Sequence, residues 1–241
     1  MTGCHAGHCT PASVALSVQP VTQWTASRCT KLAGVNDSVP ETWIVRARAL
    51  ATGGSRRLLG IAGPPGAGKS TLAAALAAAL APAAVVVPMD GFHLANSALE
   101  QLGRRGRKGA PDTFDAAGYC ALLQRLRDGS GTVWAPEFRR EIGEPVAGAI
   151  AVPADVPLVI TEGNYLLLED GAWGGIAALL DECWYLEVDD RLRRERLAAR
   201  HRRFGRSAEA AAAWVQDTDE PNARLVAAAR DRADAVFRWS R

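Results

Sequence analysis

The sequence has few of the features that mark secreted and membrane proteins. Its five cysteines, at positions 4, 9, 29, 120 and 183, are odd in number and do not form the paired framework of a disulfide-rich domain. Its alanine-dominated segment 73–84 contains Pro82 and falls well short of the roughly 20 apolar residues that span a bilayer. The first residues are polar and do not resemble a secretory signal. We therefore expect a reduced, cytoplasmic protein that makes no use of a membrane.

The chain also lacks a strong net charge. Its formal charge of +2 over 241 residues gives no reason to expect nucleic acid as a partner. The Cys-His-Ala-Gly-His-Cys tract at 4–9 is too short to surround a tetrahedral zinc ion and has no separated second pair of ligands. We interpret residues 1–38 as a flexible extension and expect one folded domain over 39–241. The sequence leaves open whether that domain forms a homodimer.

The sequence does contain a complete phosphate-binding loop. Residues 63–70 match the pattern G-x-x-x-x-G-K-[ST] between an apolar run and an alanine-rich segment predicted to be a helix over 69–80. In such a loop the glycines let backbone N–H groups approach phosphate oxygens, and the helix N-terminus adds partial positive charge. The predicted nucleotide-binding residues are Gly63, Pro64, Pro65, Gly66, Ala67, Gly68, Lys69, Ser70 and Thr71.

The rest of the chain alternates short apolar segments with helical patterns. Strands are predicted at 84–87, 157–161, 183–188 and 235–237, and helices at 95–102, 115–126, 173–180, 191–203, 208–216 and 222–230. Two further extended stretches, 132–134 and 146–152, predict a hairpin outside the main sheet. Such alternation is typical of an α/β fold with a mainly parallel sheet covered on both faces.

Two acidic residues follow predicted strands, at the sheet edge where ligands gather in such folds. Asp90 is the candidate carboxylate for an acceptor hydroxyl, although it could instead cap the next helix. Glu162 is suited to hold Mg²⁺ together with Ser70, with helix capping or solvent exposure as the alternative. Together with Lys69, these residues predict phosphoryl transfer from ATP.

Eight arginines lie between positions 191 and 206. Arg196 and Arg200 share one helical face, and such a face on a lid over 190–218 would close over ATP and exclude water. We assign Arg200 to catalysis and Arg196 and Arg206 to the nucleotide. His93, Arg140 and Tyr165 are candidates for acceptor binding. The basic loop 104–108 fits either an anionic acceptor or an exposed excursion equally well.

Several ordered motifs give a family resemblance. Residues 89–93, Met-Asp-Gly-Phe-His, resemble the Asp-Gly-Phe motif of type I pantothenate kinases, and residues 108–115 are similar to their Lys-Gly-x-Pro-x-x-[FY]-Asp stretch. Residues 159–163 resemble the metal-site strand. Residues 200–206 are similar to the uridine kinase lid, with His201 where that family has Asp. Phe138-Arg139 replaces the Tyr-Asp or Phe-Asp that relatives commonly carry, which indicates a different acceptor.

The resemblance, over about 58–237, is to the phosphoribulokinase/uridine kinase/pantothenate kinase superfamily. It implies a P-loop three-layer sandwich with strand order 2-3-1-4-5, a helical lid, and an acceptor-site hairpin insertion over 131–153. It further implies Asp90 as the catalytic base, Glu162 as the metal-site carboxylate, and ATP, Mg²⁺ and a small-molecule acceptor as ligands. A nucleoside, a sugar and a pantothenate-like acceptor all remain open. The alternative is a P-loop nucleotide hydrolase that acts as a switch or chaperone without an acceptor.

Overall fold

The computed structural model describes residues 39–238, so the predicted extension over 1–38 lies outside the described residues. The strands are β1 (Arg57–Ala62), β2 (Ala84–Pro88), β3 (Val133–Arg139), β4 (Glu144–Val152), β5 (Leu158–Gly163), β6 (Glu182–Glu187) and β7 (Ala235–Arg238). The α-helices are α1 (Glu41–Leu50), α2 (Lys69–Leu80), α3 (Asn96–Gln101), α4 (Ala116–Asp128), α5 (Asp190–Arg203), α6 (Ala208–Trp214) and α7 (Glu220–Ala228). The predicted α/β class is confirmed.

Five of the strands form one sheet in the order β2-β5-β1-β6-β7, and every pairing in it is parallel. The strand numbers differ from the predicted order because the hairpin strands β3 and β4 are included in the numbering. When only the five strands of this sheet are numbered in chain order, their order is 2-3-1-4-5. In this arrangement β1, which leads into the phosphate loop, lies between β5 and β6. The ends of β1, β2 and β5 are therefore neighbours at one edge of the sheet.

Alternate residues along the strands divide the core between the two faces of the sheet. Leu59, Ile61 and Trp184 pack with α1 and α2 on one face. Leu58 and Val159 pack with α4 on the other. Buried strands covered on both faces explain why their sequences read as continuous apolar runs rather than as alternating ones. The result is the predicted three-layer sandwich.

The hairpin forms outside the main sheet, as predicted, but it is longer than its sequence indicates. Strands β3 and β4 pair antiparallel as a separate two-stranded sheet, and β3 continues to Arg139, well beyond the predicted stretch 132–134. The sequence did not predict the longer strand because Pro136 has no backbone N–H to donate to a β-ladder. The pairing register shifts between Ala135 and Glu137, and this irregularity accommodates the proline.

Three predicted helices differ in the structure. Segment 173–180 forms two short 3₁₀ turns, Gly171–Gly175 and Ala177–Leu179, instead of an α-helix. Its glycines disfavour a regular helix, while the Trp173 indole N–H donates to the Pro111 carbonyl oxygen at 3.3 Å. The segments 208–216 and 222–230 are joined by a π-helical turn at Val215–Asp219. Within residues 39–238, no helix combines the length and hydrophobicity needed to cross a bilayer.

Candidate active site

A cleft of about 380 Å³ opens at the carboxyl ends of β1, β2 and β5. Lys69, Ser70, Asp90 and Glu162 all line it, although they come from three separate parts of the chain. Parallel strands bring their carboxyl ends to one edge, which is why these side chains converge. The cleft continues under the lid helix α5 and against the hairpin.

The phosphate loop has the backbone that its glycines predict. Gly66 and Gly68 adopt φ angles of 80° and 100°, a region that side-chain-bearing residues rarely occupy. A Cβ on Gly66 would lie 2.7 Å from the carbonyl oxygen of Arg193, so α5 packs directly on this turn. Helix α2 begins at Lys69 with Gly68 as its N-cap and without a side-chain cap. The first N–H groups of α2 are thus available to an anion.

Lys69 is held inside the loop with 7% of its surface exposed. Its Nζ donates to the Pro64 carbonyl oxygen at 3.1 Å and to Asn164 Oδ1 at 2.8 Å. Burial lowers the pKa of Lys69 to about 8, although Glu162 and Asp90 act in the opposite direction. Asn164 was not among the predicted site residues; its position two residues after Glu162, at the end of a buried strand, was the available signal.

Ser70 and Glu162 meet at the base of the cleft. The Ser70 hydroxyl donates to Glu162 Oε1 at 2.8 Å, and Glu162 is 5% exposed. Burial, with the nearby charge of Asp90, raises the pKa of Glu162. Residues 39–238 contain no cluster of three or more His, Cys, Asp or Glu side chains that could hold a metal by themselves. A hydroxyl and one carboxylate suit Mg²⁺, which usually completes its shell with water and substrate phosphates.

Asp90 lies in a 3₁₀ turn, Met89–Phe92, directly after β2. Its Oδ2 accepts from Arg140 Nη2 at 3.1 Å, and 28% of its side chain is exposed. Burial acts to raise the pKa of Asp90, but the charges of His93, Arg140, Lys69 and Arg200 outweigh it and the pKa falls. Asp90 and Glu162 therefore have pKa values displaced in opposite directions, a pattern that separates the roles of paired carboxylates.

The hairpin packs closely on this turn. A Cβ on Gly91 would lie 2.4 Å from the Pro136 carbonyl oxygen, so only glycine fits there without displacing β3. The His93 ring lies between Phe114 and Phe138, with ring centroids 4.0 and 4.6 Å away. His93 Nδ1 is 2.8 Å from the Asp90 carbonyl oxygen, which can only accept. Burial lowers the pKa of His93, which favours the neutral ring with its proton on Nδ1.

The three arginines assigned to the lid lie on α5 or shortly after it, and each lines the cleft or the hollow beside the phosphate loop. Arg200 lines the cleft, and burial together with the charge of Arg140 lowers its pKa. Arg196 Nη1 donates to the Ala67 carbonyl oxygen at 3.4 Å, and a smaller hollow joins both arginines to Ser70 and Thr71. The Arg206 guanidinium stacks 3.8 Å from the Trp214 ring centroid at the cleft wall.

Part of the basic loop 104–108 lines the cleft and part of it lies outside, so each of the two interpretations of its sequence, an acceptor-binding loop and an exposed loop, fits some of its residues. Arg104 and Arg107 pair with Asp112 outside the cleft lining. Lys108 lines the cleft but is held by Asn96 Oδ1 at 2.6 Å and the Gly143 carbonyl oxygen at 2.8 Å. Arg105 also lines the cleft and forms an ion pair with Glu100 at 3.7 Å.

Tyr165 lies apart from the other predicted acceptor-binding residues. Its ring is fully buried against Phe114 and Trp173, and its hydroxyl donates to the Gly109 carbonyl oxygen. It is not among the cleft-lining residues and supports the loop that carries Lys108. His201 on α5 and Asp219 in the π-helical turn also line the cleft although they were not predicted as site residues, and His201 Nε2 is 2.7 Å from Asp219 Oδ2.

No family model matches the chain, but several known proteins are similar to it. Protein YggC of Escherichia coli, which is uncharacterized, is 39% identical over 176 residues, covering 71% of this chain and 73% of its own. A Schizosaccharomyces pombe protein provisionally named uridine kinase C227.14 is 39% identical over 159 residues, covering 61% and 66%. A pantothenate kinase of Leifsonia xyli is more distant, at 30% identity over 210 residues, covering 75% and 65%.

The solved structures include one of high similarity, a protein of Silicibacter sp. TM1040 provisionally named as a fructose transport system kinase. It has a TM-score of 0.74 and 40% identity, covering 81% of this chain and 96% of that one. The chain belongs to the P-loop kinase superfamily of phosphoribulokinases, uridine kinases and type I pantothenate kinases. This P-loop kinase uses ATP and is a phosphotransferase with a small-molecule alcohol as acceptor.

Proposed function

We propose that this P-loop kinase transfers the γ-phosphate of ATP to a hydroxyl of a small metabolite, with Asp90 as the general base. The observation that carries the proposal is the cleft itself, because Asp90 faces the same space as Lys69, Ser70 and Glu162. A nucleotide switch has no need of a carboxylate placed to meet an acceptor. Nucleoside, sugar and pantothenate-like acceptors all contain such a hydroxyl.

In this proposal the phosphate loop and the lid hold the triphosphate. The backbone N–H groups of 63–71 bind phosphate oxygens, Lys69 leaves its contacts with Pro64 and Asn164 for the γ-phosphate, and Arg196, Arg200 and Arg206 contribute positive charge from the lid. Closure of α5 would exclude water, which otherwise competes with the acceptor.

Asp90 would act on the acceptor from the opposite side. It accepts the hydroxyl proton as the acceptor oxygen bonds to the γ-phosphorus and the bond to the β-phosphate oxygen breaks, releasing ADP. Ser70 and Glu162 would hold Mg²⁺, which offsets charge on the phosphate groups when bound. His93 and Arg140 would contact the acceptor. We assign Tyr165 to the same subsite only through the loop that it supports.

Residues 39–241 form the kinase domain in this proposal, with the hairpin insertion over 131–153 and the lid over 190–218. We also propose a cytoplasmic location, where ATP and small metabolites are both plentiful; Cys120 and Cys183, the free thiols of the described part of the chain, suit a reducing compartment.

A coupled assay of ADP release tests the proposal against a panel of nucleosides, sugars and pantothenate-like alcohols. A kinase should release little ADP alone and much more with a suitable acceptor, which then appears as its phosphate ester. Equal ADP release in every reaction, with inorganic phosphate as the product, would instead support the nucleotide hydrolase alternative.

A further inference from the structure

The ion pair between Asp90 and Arg140 is at odds with the role of a free general base. A carboxylate that accepts a charge-assisted hydrogen bond from a guanidinium is a weaker proton acceptor than an unpaired one. Arg140 lies in the hairpin turn 140–143, and 40% of its side chain is exposed. It is therefore placed to move away from Asp90 without disturbing a buried core.

The charges around Arg140 favour an incoming anion. The cleft is lined by six cationic side chains, Lys69, Arg105, Lys108, Arg140, Arg200 and Arg206, but by only three carboxylates, Asp90, Glu162 and Asp219. Lys69 and Arg200 also line the hollow beside the phosphate loop. Lys108 is held by Asn96 and Gly143, and Arg206 is stacked on the Trp214 ring. Arg105 and Arg140 therefore remain as the cations of the acceptor side.

We propose that the acceptor carries an anionic group, a carboxylate or a phosphate, and that this group draws Arg140 away from Asp90. Arg140 is then both a specificity-determining residue and a gate, because the base becomes free when the anion is bound. Arg105 provides the second positive charge of the same subsite. This inference rests on the proposed function and assigns a substrate class to it.

The gate also restrains wasteful hydrolysis. Without an acceptor, water can attack the γ-phosphorus: its oxygen bonds to phosphorus, its proton passes to Asp90, and ADP leaves as the β–γ bridging bond breaks. An Asp90 carboxylate paired with Arg140 accepts that proton poorly. The enzyme would thus release little ADP until an anionic acceptor occupies the subsite.

The first test requires no knowledge of the acceptor. Arg140→Gln should raise acceptor-free ADP release about threefold or more, because it unpairs Asp90. Arg139 stands where relatives commonly carry Asp, but its side chain pairs with Glu137 at 2.7 Å and does not line the cleft, whereas Phe138 does. Arg139→Gln is therefore the matched control. In the Asp90→Asn background the Arg140→Gln gain should vanish. Unchanged or lower release from Arg140→Gln, with ATP binding intact, would overturn the gate.

The second test compares acceptors in matched pairs: glycerate with glycerol and pantothenate with pantothenyl alcohol for a carboxylate, and fructose 1-phosphate with fructose for a phosphate. We expect the anionic member of at least one pair to have a kcat/KM about 10- to 100-fold higher. Arg140→Gln should remove that preference mainly through KM, and Arg139→Gln should keep it. Neutral acceptors used as well as their anionic partners would refute the assignment.

The two tests separate the failure of this inference from the failure of the proposed function. Should no compound be phosphorylated by the wild-type enzyme, the kinase proposal is in difficulty, yet acceptor-free ADP release still decides whether Arg140 restrains Asp90. Should neutral compounds be phosphorylated efficiently, the kinase proposal holds and the anionic subsite is wrong.

Discussion

The two sides of the cleft that we assign to the nucleotide and to the acceptor are built in different ways. The nucleotide side comes mainly from nine consecutive residues, 63–71, whose backbone geometry is fixed by glycine and by the start of α2. The acceptor side is assembled from the turn after β2, the basic loop and the hairpin, through Asp90, His93, Arg105 and Arg140.

This difference separates recognition by the main chain from recognition by side chains. Phosphate is bound by main-chain N–H groups and a helix end, which any sequence with this loop can present. An acceptor is recognised by side chains on loops, which can change without disturbing the sheet. The nucleotide side therefore accounts for the use of ATP, and the acceptor side determines which compound is phosphorylated.

The largest effect is expected from the nucleotide side. Lys69→Ala should lower kcat by about 10³-fold or more, because the only lysine in the loop no longer neutralises the transferring phosphate. Circular dichroism should show an unchanged fold, as α2 tolerates alanine well. A Lys69→Ala enzyme that retains substantial turnover would contradict the assignment of this residue.

Asp90→Asn should act on the other side of the cleft. We expect kcat to fall by about 10²–10⁴-fold while the affinity for ATP changes little, because the variant removes proton acceptance but not phosphate binding. Single-turnover kinetics together with ATP titration separate these two quantities. A defect confined to ATP binding would indicate a metal-site or capping role instead.

Two glycine substitutions should affect the two sides of the cleft separately. Gly66→Ala places a Cβ 2.7 Å from the Arg193 carbonyl oxygen at a φ of 80°, so the KM for ATP should rise by about tenfold or more. Gly91→Ala places its Cβ 2.4 Å from the Pro136 carbonyl oxygen, so the KM for the acceptor should rise instead. Equal effects of both variants on both KM values would mean that the two halves are not independent.

The smallest effect is expected from pH. The protonated Lys69 ammonium binds phosphate, and its pKa of about 8 means that this charge is lost as the pH rises through that value. We therefore expect kcat/KM for ATP to decline above about pH 8, by at most tenfold per pH unit. On the acid side, the raised pKa of Glu162 should reduce Mg²⁺-dependent activity at a higher pH than an ordinary carboxyl would. A flat profile between pH 7 and 9.5 would contradict this interpretation of Lys69.

Much of the site could be predicted because its residues are tied to local patterns. The loop 63–70 is a contiguous motif, and Asp90 and Glu162 each follow an apolar strand whose end must face the ligand edge. Asn164 follows the same strand as Glu162 but belongs to no recognised motif, and His201 and Asp219 lie in helical segments that follow no strand end. Their contacts, with Lys69 and with each other, join residues 18 to 95 positions apart, and no spacing rule connects them.

By itself the sequence determined the α/β class, the phosphate cradle and the acidic residues of the site, because helix and strand periodicity and glycine geometry act over a few neighbouring residues. Only the tertiary structure decided that Arg140 pairs with Asp90, that Lys108 is held by Asn96 and Gly143, and that Tyr165 is buried away from the cleft. Those outcomes depend on how the hairpin and the basic loop pack against the sheet edge, which is settled by contacts between distant segments and not by local preference.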